Sequence, residues 1–472
     1  MRDERADVAL DRRAGVIVLL RDRRADVVED ERTLQERPYL RAHPVEPIAA
    51  PRVQVHEQGA VGEGPRLDAT SLRESFAGAR HRDARISRAA KLIKVVRVSP
   101  RLRILHIASF YAPTVGGMET VLQDLAEGLV AAGDEVTVLC SSEGLRGATE
   151  SRSGVKVLRS PSLGKWFSQP MTPLLPVTLA RLARSFDIAH VHMPNPLAEL
   201  AAALLPARLP VVATYHADII RQRLLWPLFA PTRRMILARC RRIVVGTEQH
   251  IRYSGVLSPL RESCTVVPFG IGRQRYELGE AGRARAEELR QRYGTFVLFV
   301  GRLVYYKGVP TLVESMRHVN GQLVIVGEGP MRPAVEEAIA RHGLASRVSL
   351  VGAVPQAELN AYLEAAAVLA LPSFSRAENF GMILLEGMLF GKPLVTSRLR
   401  SGVEAVNEEG QTGLIVEPRA PADLAAALAR LLADDGLRAS MGAASRARLE
   451  SHFSFDRMIA GYRAVYQEAV AR

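Results

Sequence analysis

Cysteine is scarce in this 472-residue chain. The three present, Cys140, Cys240 and Cys264, lie far apart and outside any CxxC spacing. That excludes a disulfide framework and a cysteine zinc site, and it fits a reducing compartment. No run of about eighteen uninterrupted apolar residues occurs, so no transmembrane helix is expected. The N-terminus is peppered with acids and arginines and lacks the apolar core of a signal peptide, which points to a cytoplasmic location. There is no GxGxxG, no GxxxxGK followed by Ser or Thr, and no acidic metal cluster, which argues against a typical dehydrogenase or P-loop enzyme.

The length implies two or three domains. The formal net charge of +13 calls for an anionic partner: nucleic acid, a membrane surface or a phosphorylated substrate. Residues 1–100 are dense in Arg, Asp and Glu, with only Tyr39 and Phe76 as aromatics and one apolar burst, Val16 to Leu20. Such a segment buries too little to offset its ordering entropy and is expected to be disordered. A nucleic-acid-binding arm is disfavoured, because acids interleave with the arginines and aromatic spacing is missing. No methionine lies between Met1 and Met118, so an alternative expectation is a true start at a non-Met codon near Lys91 to Val98, with the preceding residues mis-annotated.

From Leu102 the pattern becomes regular. Strands are expected at Leu102–Ser109, Glu135–Cys140, Val155–Arg159, Ile188–His192, Val211–Tyr215 and Ile243–Gly246, with helices between, the first from Met118 to Ala132. A second series follows the charged stretch Arg273 to Arg292: Phe296–Val300, Leu323–Val326, Val348–Val351, Val368–Leu371, Leu394–Thr396 and Gly413–Val416. Strands alternating with helices give parallel sheets covered on both faces, with ligands at the carboxyl ends of the strands. The expected fold class is therefore α/β, two domains around a cleft, the default ligand site. The boundaries drawn are 101–272, 273–455, and a closing segment 456–472 returning to the first domain.

The most informative stretch is Ser373 to Gly391, SFSRAENFGMILLEGMLFG. Glu378 sits in a polar loop before Asn379-Phe380-Gly381, and Glu386 lies seven residues further on, within an apolar run of helical length. A helix opening behind such a loop can hold an anion on its unpaired amides. The same residues also fit a helix with one acid near its N-terminus and one on a solvated face. Arg302 and Lys307 follow a strand between Gly301 and Gly308. Their spacing allows both cations to converge on a diphosphate, or to be a pair of solvated surface charges. Glu386 suits vicinal ribose hydroxyls.

Taken in order, Pro113 with Gly116-Gly117, then His216, Gly301 to Gly308, GEGP at 327–330 and the Glu378–Glu386 pair resemble the retaining nucleotide-sugar glycosyltransferases of family 4, over roughly residues 102–470. The resemblance implies the GT-B fold: two Rossmann-like domains facing a central cleft, the acceptor held by the first and the donor by the second. It implies that Arg302 and Lys307 hold the donor diphosphate, Glu386 the ribose and Glu378 the transferred sugar. The amides of Asn379, Phe380 and Gly381 would face sugar and phosphate, Gly117 would line the donor–acceptor gap, and His216 would point at the sugar. His190 and His192 are left as structural. Asn379 departs from the small residue or serine common in the family, which puts sugar identity in doubt. Phe390 departs too, and reads as packing. The implied reaction is same-face transfer with retained configuration, the departing phosphate taking the acceptor proton, without metal or bound cofactor. The YYKG wording and Thr396 to Val403 resemble transferases of mannose or related sugars, which suggests GDP-mannose as donor and a glycan or lipid-linked acceptor in cell-surface polysaccharide synthesis.

An anionic membrane surface is the further partner considered, and nucleic acid is not expected. Leu224 to Val245, LLWPLFAPTRRMILARCRRIVV, sets Trp226 and Phe229 beside five arginines, and Lys165-Trp166-Phe167 is a second candidate. Either could instead be an ordinary surface element, and Pro227 and Pro231 interrupt the first. A sugar-nucleotide epimerase and a non-catalytic nucleotide-binding module are the remaining alternatives.

Overall fold

The computed structural model of the chain describes residues 7–11, 16–20, 96–97, 100–114, 116–166, 169–218 and 226–471. It divides into two units, residues 1–100 and 101–472. In the first unit, the apolar burst Val16–Leu20 is the middle strand of an antiparallel sheet, between Asp7–Asp11 and Val96–Arg97. The expectation of disorder for the other residues before Pro100 lies outside the described residues.

The second unit holds two large sheets and a two-stranded ribbon, Lys165–Trp166 against Gln169–Pro170. The first runs, edge to edge, Cys264–Val266, Arg242–Val245, Val211–Tyr215, Ile188–Met193, Arg103–Ile107, Glu135–Ser141, Val155–Ser160 and Ala148–Arg152. All neighbours are parallel except the last pair, a hairpin. The sequence reading missed two of these strands. Cys264–Val266 is three residues long, and Ala148–Arg152 (ATESR) is exposed at every position, so neither has an apolar signature. The second sheet is parallel throughout, in the order Val348–Gly352, Gln322–Val326, Phe296–Val300, Val368–Leu371, Leu394–Ser397, Gly413–Val416. Its inner strands are unbroken aliphatic and aromatic runs because helices cover both faces; VLAL at 368–371 is buried at all four positions.

Two crossings join the domains and touch each other. Ile271 on the outward crossing forms a parallel bridge with Ser454 on the return. A Cβ on Gly270 would lie 2.6 Å from the Ser454 carbonyl oxygen, so only glycine fits there. The chain then ends in the helix Phe455–Ala471, which packs on the first sheet. Its Tyr462 and Tyr466 hydroxyls meet Thr214 Oγ1 at 3.0 Å and His190 Nδ1 at 2.6 Å. Arg463 pairs with buried Asp134 at 3.0 Å, and Glu468 with Arg242 at 2.6 Å. The helix Gly117–Ala131 crosses it at Gly128, where a Cβ would come within 2.7 Å of the Phe455 ring. Replacing Gly128 by leucine should therefore overpack this crossing. The expected loss is about 1–3 kcal/mol despite the better helix propensity of leucine, read as a lower midpoint in denaturant with an unchanged slope.

Candidate active site

The loop Pro372–Gly381 and the helix Met382–Leu389 form the centre of the cleft. Gly381 caps that helix with φ +74°, and a Cβ there would press to 2.9 Å on Leu371, so the sharp entry into the helix requires glycine. The amides of Asn379, Phe380 and Gly381 donate to nothing among the described residues. Across the cleft the helix Gly117–Ala131 also opens: a Cβ on Gly117 would lie 3.9 Å from Met382 Cγ. The positive ends of two helices thus face one gap, with glycine leaving room between them.

Glu378 is buried in this gap. Its Oε2 accepts from Ser373 Oγ at 3.0 Å and pairs with Lys307 Nζ at 2.5 Å. Lys307 reaches it because the loop Gly301–Gly308 is stitched to the Glu378 loop: Phe374 N donates to Tyr306 O at 2.8 Å. Gly308, at φ +69°, presses on the Pro372 carbonyl, where no Cβ could fit. Arg302 extends to solvent, and no ion pair engages it among the described residues. The structure therefore brings Lys307 to Glu378, while Arg302 extends to solvent; a buried carboxylate draws the nearer cation.

Glu386 projects from the second turn of the same helix. The Tyr276 hydroxyl, from the linker between the domains, bonds its carboxylate, while Oε2 is buried with no partner. Burial pushes its pKa up to about 7, against the opposing pull of Arg275. An orphaned, desolvated carboxylate oxygen is costly, and it is the group a pair of ligand hydroxyls would satisfy.

The Asn379 side chain has a role the sequence reading did not give it. Its side chain spans the cleft: Nδ2 donates to the His216 carbonyl at 2.6 Å and to His250 Nδ1 at 2.9 Å. The amide nitrogen only donates, so His250 carries its proton on Nε2. Phe380 packs beside Asn379 on Phe269 of the first domain, 4.9 Å between centroids, and Arg376 donates to Tyr253 O at 2.6 Å. The loop is thus a clasp between domains. Phe390 is buried edge-on to Tyr276, at 6.5 Å.

His216 follows the strand Val211–Tyr215 and stacks on Phe269. Its Nε2 meets His192 Nδ1 at 3.0 Å, and His192 Nε2 meets His106 Nδ1 at 2.9 Å. His190 lies against His192, with centroids 4.4 Å apart, and uses both nitrogens, on Tyr466 and on Thr214 Oγ1 at 2.7 Å. Burial holds His106 and His216 at about 3 and lowers His190 and His192 as well, so all four rings are neutral. Nitrogens of His106, His190 and His192 lie within 4.8 Å of one another, a set able to hold a metal. Yet His190 and His192 spend both of theirs on hydrogen bonds, which makes a ladder of rings. His192, left as structural from sequence, is in direct contact with His216. Of the missed residues, His106 carried a signal, a polar group inside the apolar run RILHIA; His250 (TEQHIRY) and Tyr276 (RQRYELGE) sit in polar and charged stretches and carried none.

The membrane candidate at 224–245 is not supported as drawn. Residues 224–225 and the side chains of 226–228 lie outside the described residues, but the arginines that follow turn inward. Arg233 is buried, Arg239 donates to three carbonyls at Pro206, Ala207 and Leu209, Arg241 to Ala469 O, and Arg242 to Glu468. Only Arg234 of the five is exposed.

The raised pKa of Glu386 has a consequence for stability. Its folded-state value lies above the usual 4.5, so the folded protein keeps a proton that the unfolded chain releases between about pH 4.5 and 7. Stability should fall as pH rises through that window, by roughly 1–3 kcal/mol. A Glu386→Gln variant should melt at the same temperature as the parent at pH 4.5 and above it at pH 8, checked by calorimetry across pH.

Comparison with known proteins agrees with this geometry. The family described as glycosyltransferase family 4 matches residues 115–275, and that described as glycosyl transferases group 1 matches residues 282–448. The D-rhamnosyltransferase WbpZ of Pseudomonas aeruginosa is 32% identical over 355 residues, covering 75% of this chain and 92% of that protein. The O-antigen chain mannosyltransferase C of Escherichia coli is 27% identical over 367 residues, 77% of this chain and 98% of that one. Among solved structures, sucrose-phosphate synthase from Thermosynechococcus elongatus superposes with a TM-score of 0.66 at 22% identity, over 79% of this chain and all of that one, which shows the shared GT-B fold. The two matched halves, the 32% identical relative and the shared fold place this chain in glycosyltransferase family 4, among the glycosyl transferases of group 1.

Proposed function

We propose that this glycosyltransferase moves a sugar from a nucleoside diphosphate, of the GDP-mannose class, to a hydroxyl of a glycan or lipid-linked acceptor, retaining the anomeric configuration. The observation that carries the reading is the convergence of two helix N-termini and Lys307 on one gap. Breaking the bond between the anomeric carbon and the β-phosphate oxygen puts negative charge there, and fixed donors that need no reorganisation stabilise it. Lys307 leaves Glu378 for the diphosphate, and Arg302 swings in from solvent. Glu378, released, accepts from hydroxyls of the transferred sugar. Glu386 receives the ribose hydroxyls at its orphaned oxygen, and the amides of Asn379, Phe380 and Gly381 line the phosphate side. The acceptor oxygen attacks from the face the phosphate leaves, and its proton passes to that phosphate oxygen. Side chains and amides supply the positive charge, so no metal is required. The mannosyl and rhamnosyl activities of the named relatives support a mannose-related donor.

The test is a melting series of the full chain with GDP, UDP and ADP. A nucleotide at about 100 times its Kd should add roughly 2.7 kcal/mol. The shift should come with one base and vanish in Glu386→Ala, and Lys307→Ala should lower kcat about 100-fold or more. Melting unaffected by all three nucleotides would count against the donor site.

A membrane-bound acceptor has its own support. No helix among the described residues is long and apolar enough to cross a bilayer, so contact would be peripheral, and we place it on the cytoplasmic face. The segment Leu163 to Val177 exposes Leu163 (69%), Trp166 (68%), Met171, Leu174 and Val177 within fifteen residues. Lys165 lies 4.6 Å over the Phe110 ring, and Gln169 accepts from Ser109 Oγ, on the loop leading to Gly116-Gly117. An apolar, cationic rim beside the gap suits a lipid surface that presents the acceptor. Flotation with anionic vesicles should carry the protein, and a Leu163→Glu, Trp166→Glu variant should stay behind while keeping turnover on a soluble acceptor; equal flotation with zwitterionic vesicles would count against it.

A further inference from the structure

We propose that Asp124, in the first domain, and Glu386, in the second, share the cation Arg275, and that Asp124 thereby governs how readily Glu386 receives ligand hydroxyls. The arrangement is built on one turn, Arg273–Tyr276, in the linker between the domains. The side chains of its last two residues bind different domains. Arg275 Nη2 pairs with Asp124 Oδ1 at 2.7 Å, on the helix Gly117–Ala131. Tyr276, the next residue, bonds the Glu386 carboxylate and packs edge-on to Phe390, which caps the helix Met382–Leu389. The turn itself is pinned to the second domain, where Asn360 Nδ2 donates to the Arg275 carbonyl at 3.0 Å.

Each of the two acids leaves one oxygen buried without a partner, Asp124 Oδ2 and Glu386 Oε2. Arg275 alone cannot neutralise two such carboxylates, and an uncompensated buried charge is costly. The cluster is neutral when it also holds one proton. Asp124 has the ion pair, so the proton belongs to Glu386, whose carboxylate is met by a hydroxyl. Burial raises both acids in that order, Asp124 to about 6 and Glu386 to about 7. Arg275 draws Glu386 toward its charged form, and Asp124 opposes it. The strands under the Glu386 helix, VLAL at 368–371 and LVTS at 394–397, carry no titratable group. On the helix Asp435–His452 packed behind it, Arg446 donates to Phe390 O, and Arg448 to Ala405 O and Glu408. A carboxylate accepts from two hydroxyls better than a carboxylic acid does. Loosening the hold of Asp124 on Arg275 therefore makes Glu386 the better acceptor. Asp124 and Arg275 are positioning residues, and through them the first domain acts on the donor site without touching the donor. That the hydroxyls belong to a ribose rests on the transferase reading; the sharing of the cation does not.

The measurement is melting temperature against pH for the full chain with and without Glu386→Gln, in the parent, Asp124→Asn, Arg275→Gln and Arg275→Lys backgrounds. The folded protein keeps the Glu386 proton to higher pH than the unfolded chain does. Glu386→Gln therefore gains over its background as pH rises, and the gain levels off at the folded-state pKa. Levelling is expected near pH 7 in the parent, about one pH unit lower in Asp124→Asn and about one unit higher in Arg275→Gln. Arg275→Lys keeps the charge and should stay with the parent. An ion pair that only ties the domains together would lower melting temperatures without moving that pH. Levelling at the parent pH in folded Asp124→Asn, or displacement of Asp124→Asn and Arg275→Gln in the same direction, would overturn the proposal. If Arg275→Gln does not fold, Asp124→Asn against the parent and Arg275→Lys decides.

The ligand step has its own readout. Whichever of GDP, UDP and ADP stabilises the parent should bind Asp124→Asn about fivefold more tightly at pH 6 and equally at pH 8. Equal affinity at pH 6, beside displaced levelling, would overturn the role of Asp124 in ligand binding. Displaced levelling with no nucleotide bound at either pH would support the shared cation and count against the transferase reading.

Discussion

Two helices point their positive ends at each other across the cleft, with Gly117 and Met382 at the closest approach. Like ends repel, so the surrounding protein has to hold them in place. Much of the second unit serves that end. The paired crossings at Ile271 and Ser454 set the hinge, Asn379 and Phe380 clasp the first domain, and the last helix returns to lock the first sheet. Glu378 is held by Lys307 and Ser373.

The two carboxylates of the site are kept in opposite conditions. Glu378 has an ion-pair partner and a hydroxyl, so its charge is compensated. Glu386 has one tyrosine and an orphaned oxygen, and its proton is correspondingly hard to remove. A ligand bringing phosphates to Lys307 and hydroxyls to Glu386 relieves both at once: it takes the cation from one acid and completes the shell of the other. On the proposed function, recognition of a nucleotide sugar would rest on exchanging internal partners for external ones, and less on filling a preformed hole.

Much of this was legible in the sequence, for physical reasons. Parallel strands buried on both faces must be continuous apolar runs, so VVATY and FVLFV announced themselves, and glycines at 301, 308 and 381 marked tight backbone turns. What stayed hidden depends on pairing between distant segments. Nothing in the local pattern tells that His106 and His192 meet at 2.9 Å, or that Asn379 reaches a carbonyl 163 residues away. The cations were half legible: their spacing allowed convergence, but Glu378 draws Lys307 to itself and Arg302 remains apart. The arginines of 233–242 looked like a lipid-facing stripe because sequence shows charge and not direction. In the fold, Arg239, Arg241 and Arg242 are spent on carbonyls and on Glu468.

The closing helix also sets an order of events at birth. The first sheet contains His190 and Thr214, whose partners are Tyr466 and Tyr462, some 250 residues later in the chain. A ribosome making this protein from its N-terminus releases that helix after the strands of both sheets. Until then the first domain stands with a polar notch in its core and an uncovered face. Its second neighbour, meanwhile, can complete its sheet at Gly413–Val416 and fold ahead of it. The domain translated first is thus the one finished last, and the window between is when the nascent chain is most in need of protection.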